Sequence, residues 1–447
     1  MKQTLLKREI GVWGLSLNLM NIMIGAGIFV MPAIVAEGLG TASFSAYLFC
    51  GFLISLVMLC FAEVGSIITS DGGVYAYIDR TLGDYFGFKA VVLFLLAAIS
   101  ADAAIANAVV DILDSLLPLE LGSAYRTIIF FVIFSTLAII NIRGTRQGVA
   151  LVKMITIFKL APLVLFVMLV SPDIKLEFLQ IESLPTLREF GQISLILFFA
   201  FQGAESGLSV NGEVKNPQKT IPRAIFIAIS GALILYMMIQ LISQGIMGPE
   251  LGNVKQNTLG EVASIVLGPI GLTLMIIGGA VSMLGSISSE ILSIPRILYG
   301  AAKDNVLPIK ALAAIHPRFA TPYAAILAYS FLDFLFASIG GFTQLAILSS
   351  TTVLLVYLGV AIAVIRLRMK HKTRVESSFR IPGGYVVPIA AIAVILWFLS
   401  NLTRKEMLTI GLIIVALTIV YFTLVIRLRK KIERRDVSTS NRTHTMP

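Results

Sequence analysis

Residues 21–29 read Asn21-Ile22-Met23-Ile24-Gly25-Ala26-Gly27-Ile28-Phe29. They lie within a long apolar stretch, residues 11–36, and place two glycines around an alanine where a membrane-spanning helix would have its middle. A second apolar stretch, residues 190–210, has a similar interruption with a carboxylate beside it, Phe198-Phe199-Ala200-Phe201-Gln202-Gly203-Ala204-Glu205-Ser206-Gly207. Such glycines can serve close helix packing. They can also break a helix in mid-membrane, where protein or a water-filled cavity must meet the freed backbone groups.

The composition around these stretches indicates an all-α transmembrane protein. Of 447 residues, 57% are hydrophobic and 13% are charged, and the mean hydropathy is +0.91. A soluble domain has about 25% charged residues, so soluble, disulfide-rich secreted and disordered chains are excluded. A membrane β-barrel would show short alternating segments instead of long apolar runs. The two cysteines, Cys50 and Cys60, share one apolar run and suggest neither a disulfide nor a metal site.

Apolar runs between charged or Gly/Pro-rich breaks predict twelve membrane-spanning helices. The predicted spans are residues 11–36, 41–66, 86–113, 125–142, 149–170, 190–210, 222–245, 268–298, 322–339, 342–365, 384–402 and 407–426. We expect residues 1–10 to form a cytoplasmic N-terminus and residues 427–447 a basic, disordered cytoplasmic tail.

The basic residues predict the orientation in the membrane. Of the 35 lysines and arginines, 28 fall on the side that holds both termini, six fall on the other side, and Lys159 lies inside a span. The positive-inside rule therefore places both termini in the cytoplasm of a multi-pass cell-membrane protein. The net charge of +10 follows from this topology and from contact with anionic lipid, so it does not indicate nucleic-acid binding.

Each interruption lies in the first predicted helix of one half of the chain, residues 11–170 or residues 190–366. Interrupted segments in corresponding positions of two halves are typical of inverted-repeat secondary transporters with a mid-membrane site. The amino end of a half-helix offers N–H groups to an anion, and the carboxyl end offers carbonyls to a cation. A zwitterionic amino acid fits both ends.

Four motifs resemble the amino acid–polyamine–organocation (APC) superfamily of transporters along essentially the whole chain. The motif stretches are residues 25–29, residues 72–77 with Gly83 and Gly87-Phe88, residues 203–206 with 213–224, and residues 301–308. The resemblance implies a LeuT-like five-plus-five inverted repeat with discontinuous helices 1 and 6. Residues 11–170 and 190–366 would be the two repeats, and residues 384–426 would be two accessory helices.

The resemblance also implies a substrate site at the two interruptions. The substrate carboxylate would meet backbone N–H groups of Gly25, Ala26 and Gly27. Many relatives have serine at the position of Ala26, so here one hydroxyl contact is missing and the backbone alone would bind the carboxylate.

The substrate ammonium would meet carbonyl groups at both interruptions. These are the carbonyls of Met23, Phe199 and Gln202, and Gly203 adjoins them in the same predicted site. The Phe199 ring would lie over the bound substrate as a lid.

Ionisable residues inside a membrane are costly and therefore indicate function. In proton-coupled relatives a lysine at the position of Lys159 replaces a sodium ion near the first and eighth helices. A lysine surrounded by apolar groups can exchange its proton near neutral pH, although its side chain can also extend to the inner surface. Glu205 matches an inner-gate glutamate of the family, and either relays protons or holds the half-helix by hydrogen bonds.

Four further charged residues are candidates for the site or for an inner gate. Asp102 and Glu290 are expected near the substrate side-chain pocket, where they would favour polar or cationic side chains; alternatively each is neutral or faces another helix. Glu63 could pair with a basic loop residue such as Arg80 as part of the inner gate.

The sequence thus predicts a secondary active amino acid transporter that works by alternating access, with the proton as coupling ion and no cofactor, metal site or enzymatic activity. Proton symport and exchange of amino acids or amines, with polar or cationic substrates favoured, both remain open. The predicted spans show no continuous polar stripe, which a channel would need. They also show no recognisable pair of catalytic residues, which an intramembrane enzyme would need. A monomer and a homodimer are equally compatible with the sequence.

Overall fold

The computed structural model describes residues 10–68, 73–114, 122–143, 159–180, 184–208, 214–254, 257–370 and 379–427. Regular structure in these ranges is helical, apart from one isolated bridge that pairs Ile10 with Val214. The predicted tail from residue 428 onward, residues 1–9 and the part of the fifth predicted span before Lys159 lie outside the described residues.

Seven helical segments of the described chain are long and apolar enough to cross a membrane. They are Gly27–Ile67, Asp84–Asp114, Ser123–Arg143, Gln218–Asn253, Thr258–Lys303, Phe342–Lys370 and Arg404–Thr423. Three shorter apolar helices accompany them, Val12–Met23, Tyr323–Ile339 and Val386–Ser400. These segments agree with the predicted all-α, multi-pass membrane class.

Seven of the described helices precede the one that leads into the second interruption. They are α1 (Val12–Met23), α2 (Gly27–Leu39), α3 (Ser43–Ile67), α4 (Gly73–Leu82), α5 (Asp84–Asp114), α6 (Ser123–Arg143) and α7 (residues 159–170). The first predicted span is therefore divided into α1 and α2 at the glycine pair.

The remaining helices are α8 (Leu187–Leu197), α9 (Pro217–Met247), α10 (Thr258–Lys303), α11 (Tyr323–Ile339), α12 (Phe342–Lys370), α13 (Val386–Ser400) and α14 (Arg404–Val420). A short 3-10 helix, Phe198–Phe201, continues α8 up to the second interruption.

Two elements differ from the sequence prediction. The motif around Tyr75 and Tyr77, which no predicted span includes, forms α4, because its apolar face packs inward and Tyr77 meets Phe61 edge-on at 6.3 Å. The eighth predicted span begins at Gly268, whereas α10 already begins at Thr258. Gly268 has φ +63° and precedes Pro269, so it bends α10 instead of starting it.

The core lies where α5 packs against α10, α11 and α12 and where α9 packs against α1 and α3. Large aromatic side chains are fully buried there, among them Tyr47, Tyr236 and Phe201. By contrast, α6 and α14 expose many apolar side chains, as expected of helices that face hydrocarbon. The two interruptions lie between these buried helices.

Candidate functional site

The first break separates α1 from α2. Helix α1 ends at Met23 and α2 begins at Gly27, with Ile24, Gly25 and Ala26 between them. No side chain caps the amino end of α2. Since the first N–H groups of a helix have no partner within that helix, this end offers donors to an anion.

The second break follows the 3-10 helix Phe198–Phe201. Gly203 has φ +96°, a conformation that favours glycine. The Glu205 carboxylate accepts a hydrogen bond from the Gly203 N–H at 3.1 Å. The Gln202 side chain accepts from the Ser349 hydroxyl at 2.9 Å and donates to the Ser350 hydroxyl at 2.7 Å. Helix α12 therefore fixes this break through its two serines.

The two breaks touch each other. A methyl group at Gly27 would lie 2.7 Å from the Ala200 Cβ and 2.8 Å from its Cα, so the absence of a side chain permits this contact. A methyl group at Gly203 would lie 3.1 Å from Ile22 Cγ2. At Gly25 the nearest atom would be the Ser286 hydroxyl oxygen at 3.6 Å, an ordinary contact. Gly27 and Gly203 are thus sterically required, and Gly25 is not.

Tyr236 of α9 joins the breaks through one hydroxyl group. Its oxygen lies 2.9 Å from the carbonyl oxygen of Met23 and 2.9 Å from that of Ala200. A hydroxyl has one proton to donate, so the two carbonyls share one donor. The side chain is fully buried, and both carbonyls belong to carboxyl ends of interrupted helical segments.

Lys159 joins the first break to α10. Its ammonium donates to the Asn21 carbonyl oxygen at 2.7 Å and to the Ser286 hydroxyl at 3.1 Å, and the residue is only 3% exposed. The side chain therefore points into the protein and does not extend to the inner surface. Three helices, α1, α7 and α10, meet at this one cation.

A cavity of about 80 Å³ lies at the breaks. Nine of the residues predicted for the site line it, namely Met23, Gly25, Ala26, Gly27, Phe199, Gln202, Gly203, Glu205 and Glu290. Helix α5 contributes small side chains to the wall, Ala97, Ala98 and Ala101. At one side Phe199 packs edge-on against Phe342 at 5.6 Å between ring centres.

Asp102 does not line the cavity. It is fully buried, and its carboxylate accepts a hydrogen bond from the Tyr329 hydroxyl at 3.0 Å. Its position on α5 turns it towards α11, which is the alternative in which it faces another helix. Glu290, by contrast, lies at the cavity wall.

Glu63 pairs with Arg368 and not with Arg80. The guanidinium donates to both carboxylate oxygens at 2.6 and 2.5 Å and also to the Gly384 carbonyl, while the Ile381 N–H donates to Glu63 at 2.8 Å. Arg80 is exposed on α4. The physical reason is that Arg368 lies on α12, which packs against the end of α3 and gives Glu63 a buried, bidentate partner.

Sequence reasoning missed several residues of this region. Tyr236 and Ser286 carry no charge and no motif, so only the packing of α9 and α10 reveals them. Asp333 of α11, which is fully buried, gave a signal that was available, because it is an ionisable residue within an apolar span.

The apolar helices, the two interrupted helical segments and the cavity lined by both interruptions are typical of a membrane carrier of a small solute. The family model described as amino acid permease matches residues 10–426. The chain therefore belongs to the amino acid permease family, as the resemblance to the APC superfamily indicated. This is a family of transporters and not of enzymes.

Individual relatives cover nearly the whole chain. A methylthioribose transporter and the serine/threonine exchanger SteT, both of Bacillus subtilis, are each 28% identical to it. The first covers 94% of both chains, and the second covers 91% of this chain and 94% of its own. An arginine/ornithine antiporter of Pseudomonas aeruginosa is 25% identical over 84% of this chain and 83% of its own.

Proposed function

We propose that this permease is a secondary active, proton-coupled amino acid transporter that binds its substrate between the two breaks. The observation that carries the proposal is that both breaks line one and the same cavity, and that the Tyr236 hydroxyl joins their Met23 and Ala200 carbonyls. One end of a zwitterion then meets helix donors and the other meets carbonyl acceptors. Motion of the helices that these breaks divide opens the site to one side of the membrane at a time, which is alternating access.

The amino end of α2 binds the substrate carboxylate. Gly25, Ala26 and Gly27 line the cavity, and the first turn of α2 has N–H groups without helical partners. Because Ala26 has no hydroxyl, the backbone supplies the whole contact.

Carbonyl groups of Met23, Phe199 and Gln202 bind the substrate ammonium. The Met23 carbonyl already receives the Tyr236 hydroxyl, and its second lone pair remains for the substrate. Gly203 allows the backbone to turn at this point, and the Phe199 ring against Phe342 closes the cavity as the lid.

Lys159 carries the coupling proton. Protonated, it bridges the Asn21 carbonyl and Ser286, and thereby holds α1 against α10. Once neutral, it loses the charge that strengthens both contacts, and α1 is released. Glu205 holds the second break by accepting from the Gly203 N–H, which supports the hydrogen-bonding role over proton relay.

The finer architecture belongs to the same proposal. Twelve spans form a LeuT-like five-plus-five inverted repeat, with residues 11–170 and 190–366 as the repeats and residues 384–426 as accessory helices. Both termini lie in the cytoplasm of a cell-membrane protein. The inner gate includes the Glu63–Arg368 pair, and Arg80 is exposed on α4, which packs against α12.

Exchange remains a second candidate. The names of two relatives, a serine/threonine exchanger and an arginine/ornithine antiporter, describe exchange of amino acids. The methylthioribose transporter is named for a solute that is not an amino acid, so the substrate has to be measured on this chain.

Counterflow in proteoliposomes tests the proposal. Purified protein is screened by thermal shift against amino acids, polyamines and methylthioribose, because a bound ligand stabilises the folded state. The best ligand is then loaded inside vesicles and radiolabelled uptake is followed. We expect an amino acid to bind and internal substrate to stimulate uptake; absence of binding by every amino acid contradicts the proposal, and absence of stimulation favours a channel.

A further inference from the structure

Three carboxyl groups on three different helices lie close to one another beside the cavity. They are Asp102 of α5, Glu290 of α10 and Asp333 of α11, and each interacts electrostatically with the other two. We call these three residues the carboxyl triad. Only Glu290 lines the cavity, so the triad has one member within reach of a bound substrate.

The unpaired carboxyl group of Asp333 indicates that the triad binds a proton or a ligand. It is fully buried, and neither of its carboxyl oxygens has a hydrogen-bond partner in the described structure. The second oxygen of Asp102 is also without a partner, while the first accepts from Tyr329, one turn before Asp333 on α11. A bare carboxylate in such a place is very unfavourable.

The charges around the triad do not balance it. The ionisable groups that interact with its members are Lys159, Glu205, Tyr329 and Tyr357. Lys159 is the only cation among them, and it already donates to Asn21 and Ser286. Adjacent carboxyl groups cannot all ionise in a low-dielectric interior. The triad therefore holds at least one proton in the structure as it stands.

We propose that the carboxyl triad is an exchangeable proton site, and that a positively charged side chain of the substrate, an amine or guanidinium, displaces this proton at Glu290. This inference rests on the proposed function, because it places the amino acid backbone at the breaks. The O–H bond of one carboxylic acid breaks, the proton passes to water in the cavity, and the carboxylate pairs with the substrate cation. No oxidant or further reactant is needed.

Cationic and neutral substrates should therefore differ in the number of protons released when they bind. A cationic side chain adds one positive charge beside the triad and releases about one proton, since each new charge offsets one lost. A neutral side chain of the same length leaves the triad protonated. Small side chains of α5, at Ala97, Ala98 and Ala101, keep the wall near Glu290 open.

Calorimetry with L-ornithine and L-norvaline tests the inference on purified protein. These probes have the same chain length and differ by the side-chain ammonium. Titrations in two buffers of different ionisation enthalpy give the protons released per ligand bound. We expect L-ornithine to bind at least about tenfold more tightly and to release about one proton more than L-norvaline.

Asp333→Asn is the decisive variant, because asparagine keeps the shape of the acid but removes one of the three carboxyl groups whose proximity keeps a proton at Glu290. We expect it to bring the proton release for L-ornithine close to that for L-norvaline, with the thermal midpoint retained. Ser330→Ala, which removes a neighbouring buried hydroxyl of α11 and no titratable group, should behave as the unmodified protein. Glu290→Gln should remove the preference for L-ornithine.

Three results overturn the inference: no preference for L-ornithine, equal proton release for both probes, or unchanged proton release in Asp333→Asn. If Asp333→Asn does not fold, Glu290→Gln decides by the preference alone. Failure of the proposed function has a different signature, because then no amino acid in the thermal-shift screen binds.

Discussion

The first break, between Met23 and Gly27, differs from the second, around Gln202 and Glu205, in where its stabilising groups come from. At the first break, distant helices supply the donors, the Lys159 ammonium from α7 and the Tyr236 hydroxyl from α9. At the second break one stabilising group is local, because Glu205 accepts from the Gly203 backbone, while Gln202 is bound to the serines of α12 and the Ala200 carbonyl shares the Tyr236 hydroxyl.

The difference separates control from support. The first break depends on a group that can gain or lose a proton, so its attachment to α10 can change during a transport cycle. At the second break the hydrogen-bonding groups are serine hydroxyls and a local carboxylate, and they stabilise the turn of the chain at Gly203. We therefore expect loss of the Lys159 contacts at the first break to affect coupling, and loss of the serine contacts at the second break to affect affinity.

The largest effect is expected where the breaks touch. Gly27→Ala places a methyl group 2.7 Å from the Ala200 Cβ and 2.8 Å from its backbone Cα, so the breaks must separate. We expect amino acid binding to weaken about a hundredfold or more, because a backbone contact relaxes only at high cost. Gly25→Ala is the matched control, with its nearest contact at 3.6 Å, and should retain most of the affinity in calorimetry.

Equal affinities in the two alanine variants would contradict the steric account of the breaks. If both variants fold but neither binds the amino acid, substrate binding by the backbone N–H of residue 25 would itself require the backbone geometry of glycine.

Next in size is the effect of Lys159→Ala on coupling. Removing the ammonium detaches α1 from Ser286 and removes the proposed proton carrier. We expect gradient-driven accumulation in proteoliposomes to fall at least about tenfold while exchange at equal pH continues. Lys89→Ala, near the amino end of α5, is the control. Undiminished accumulation in Lys159→Ala would assign the coupling proton to another group.

Tyr236→Phe is expected to have an intermediate effect. The change leaves the Met23 and Ala200 carbonyls without their shared donor, and an unsatisfied buried polar group costs about 1–3 kcal/mol. We expect about tenfold weaker binding in calorimetry and a lower thermal midpoint. Tyr125→Phe, at an exposed position of α6, serves as control. Unchanged binding would show that the breaks are not held together by this hydroxyl.

The smallest effect is expected from Ser350→Ala at the second break. It removes one of two hydrogen bonds to Gln202, and Ser349 keeps the other. We expect about a two- to fivefold loss of affinity with no change in the dependence of accumulation on the pH gradient. A change in coupling here would break the distinction between the two breaks.

Much of this arrangement could be predicted from the sequence, because the local amino-acid composition indicates where a helix is interrupted. The glycines of the first break and Gly203 of the second lie where the structure has its interruptions. Lys159 was also identifiable, since a charge in an apolar run is rare.

Partners in space were not predictable in the same way. The sequence assigns Asp102 to a helix but does not give its rotation, and the structure turns the carboxyl to Tyr329. From the sequence, several basic residues were possible partners of Glu63, and only the packing of α12 against α3 selects Arg368. Tyr236 carries no local signal, because its role depends on two carbonyls far from it in sequence.

The central claim is that the two breaks together form one site for both charged ends of an amino acid. Calorimetry with the best amino acid, its methyl ester and its α-hydroxy analogue tests this most directly. We predict that the ester, which lacks the carboxylate for α2, and the hydroxy acid, which lacks the ammonium for the carbonyls, each bind at least about a hundredfold more weakly. Full affinity of either analogue would contradict the claim.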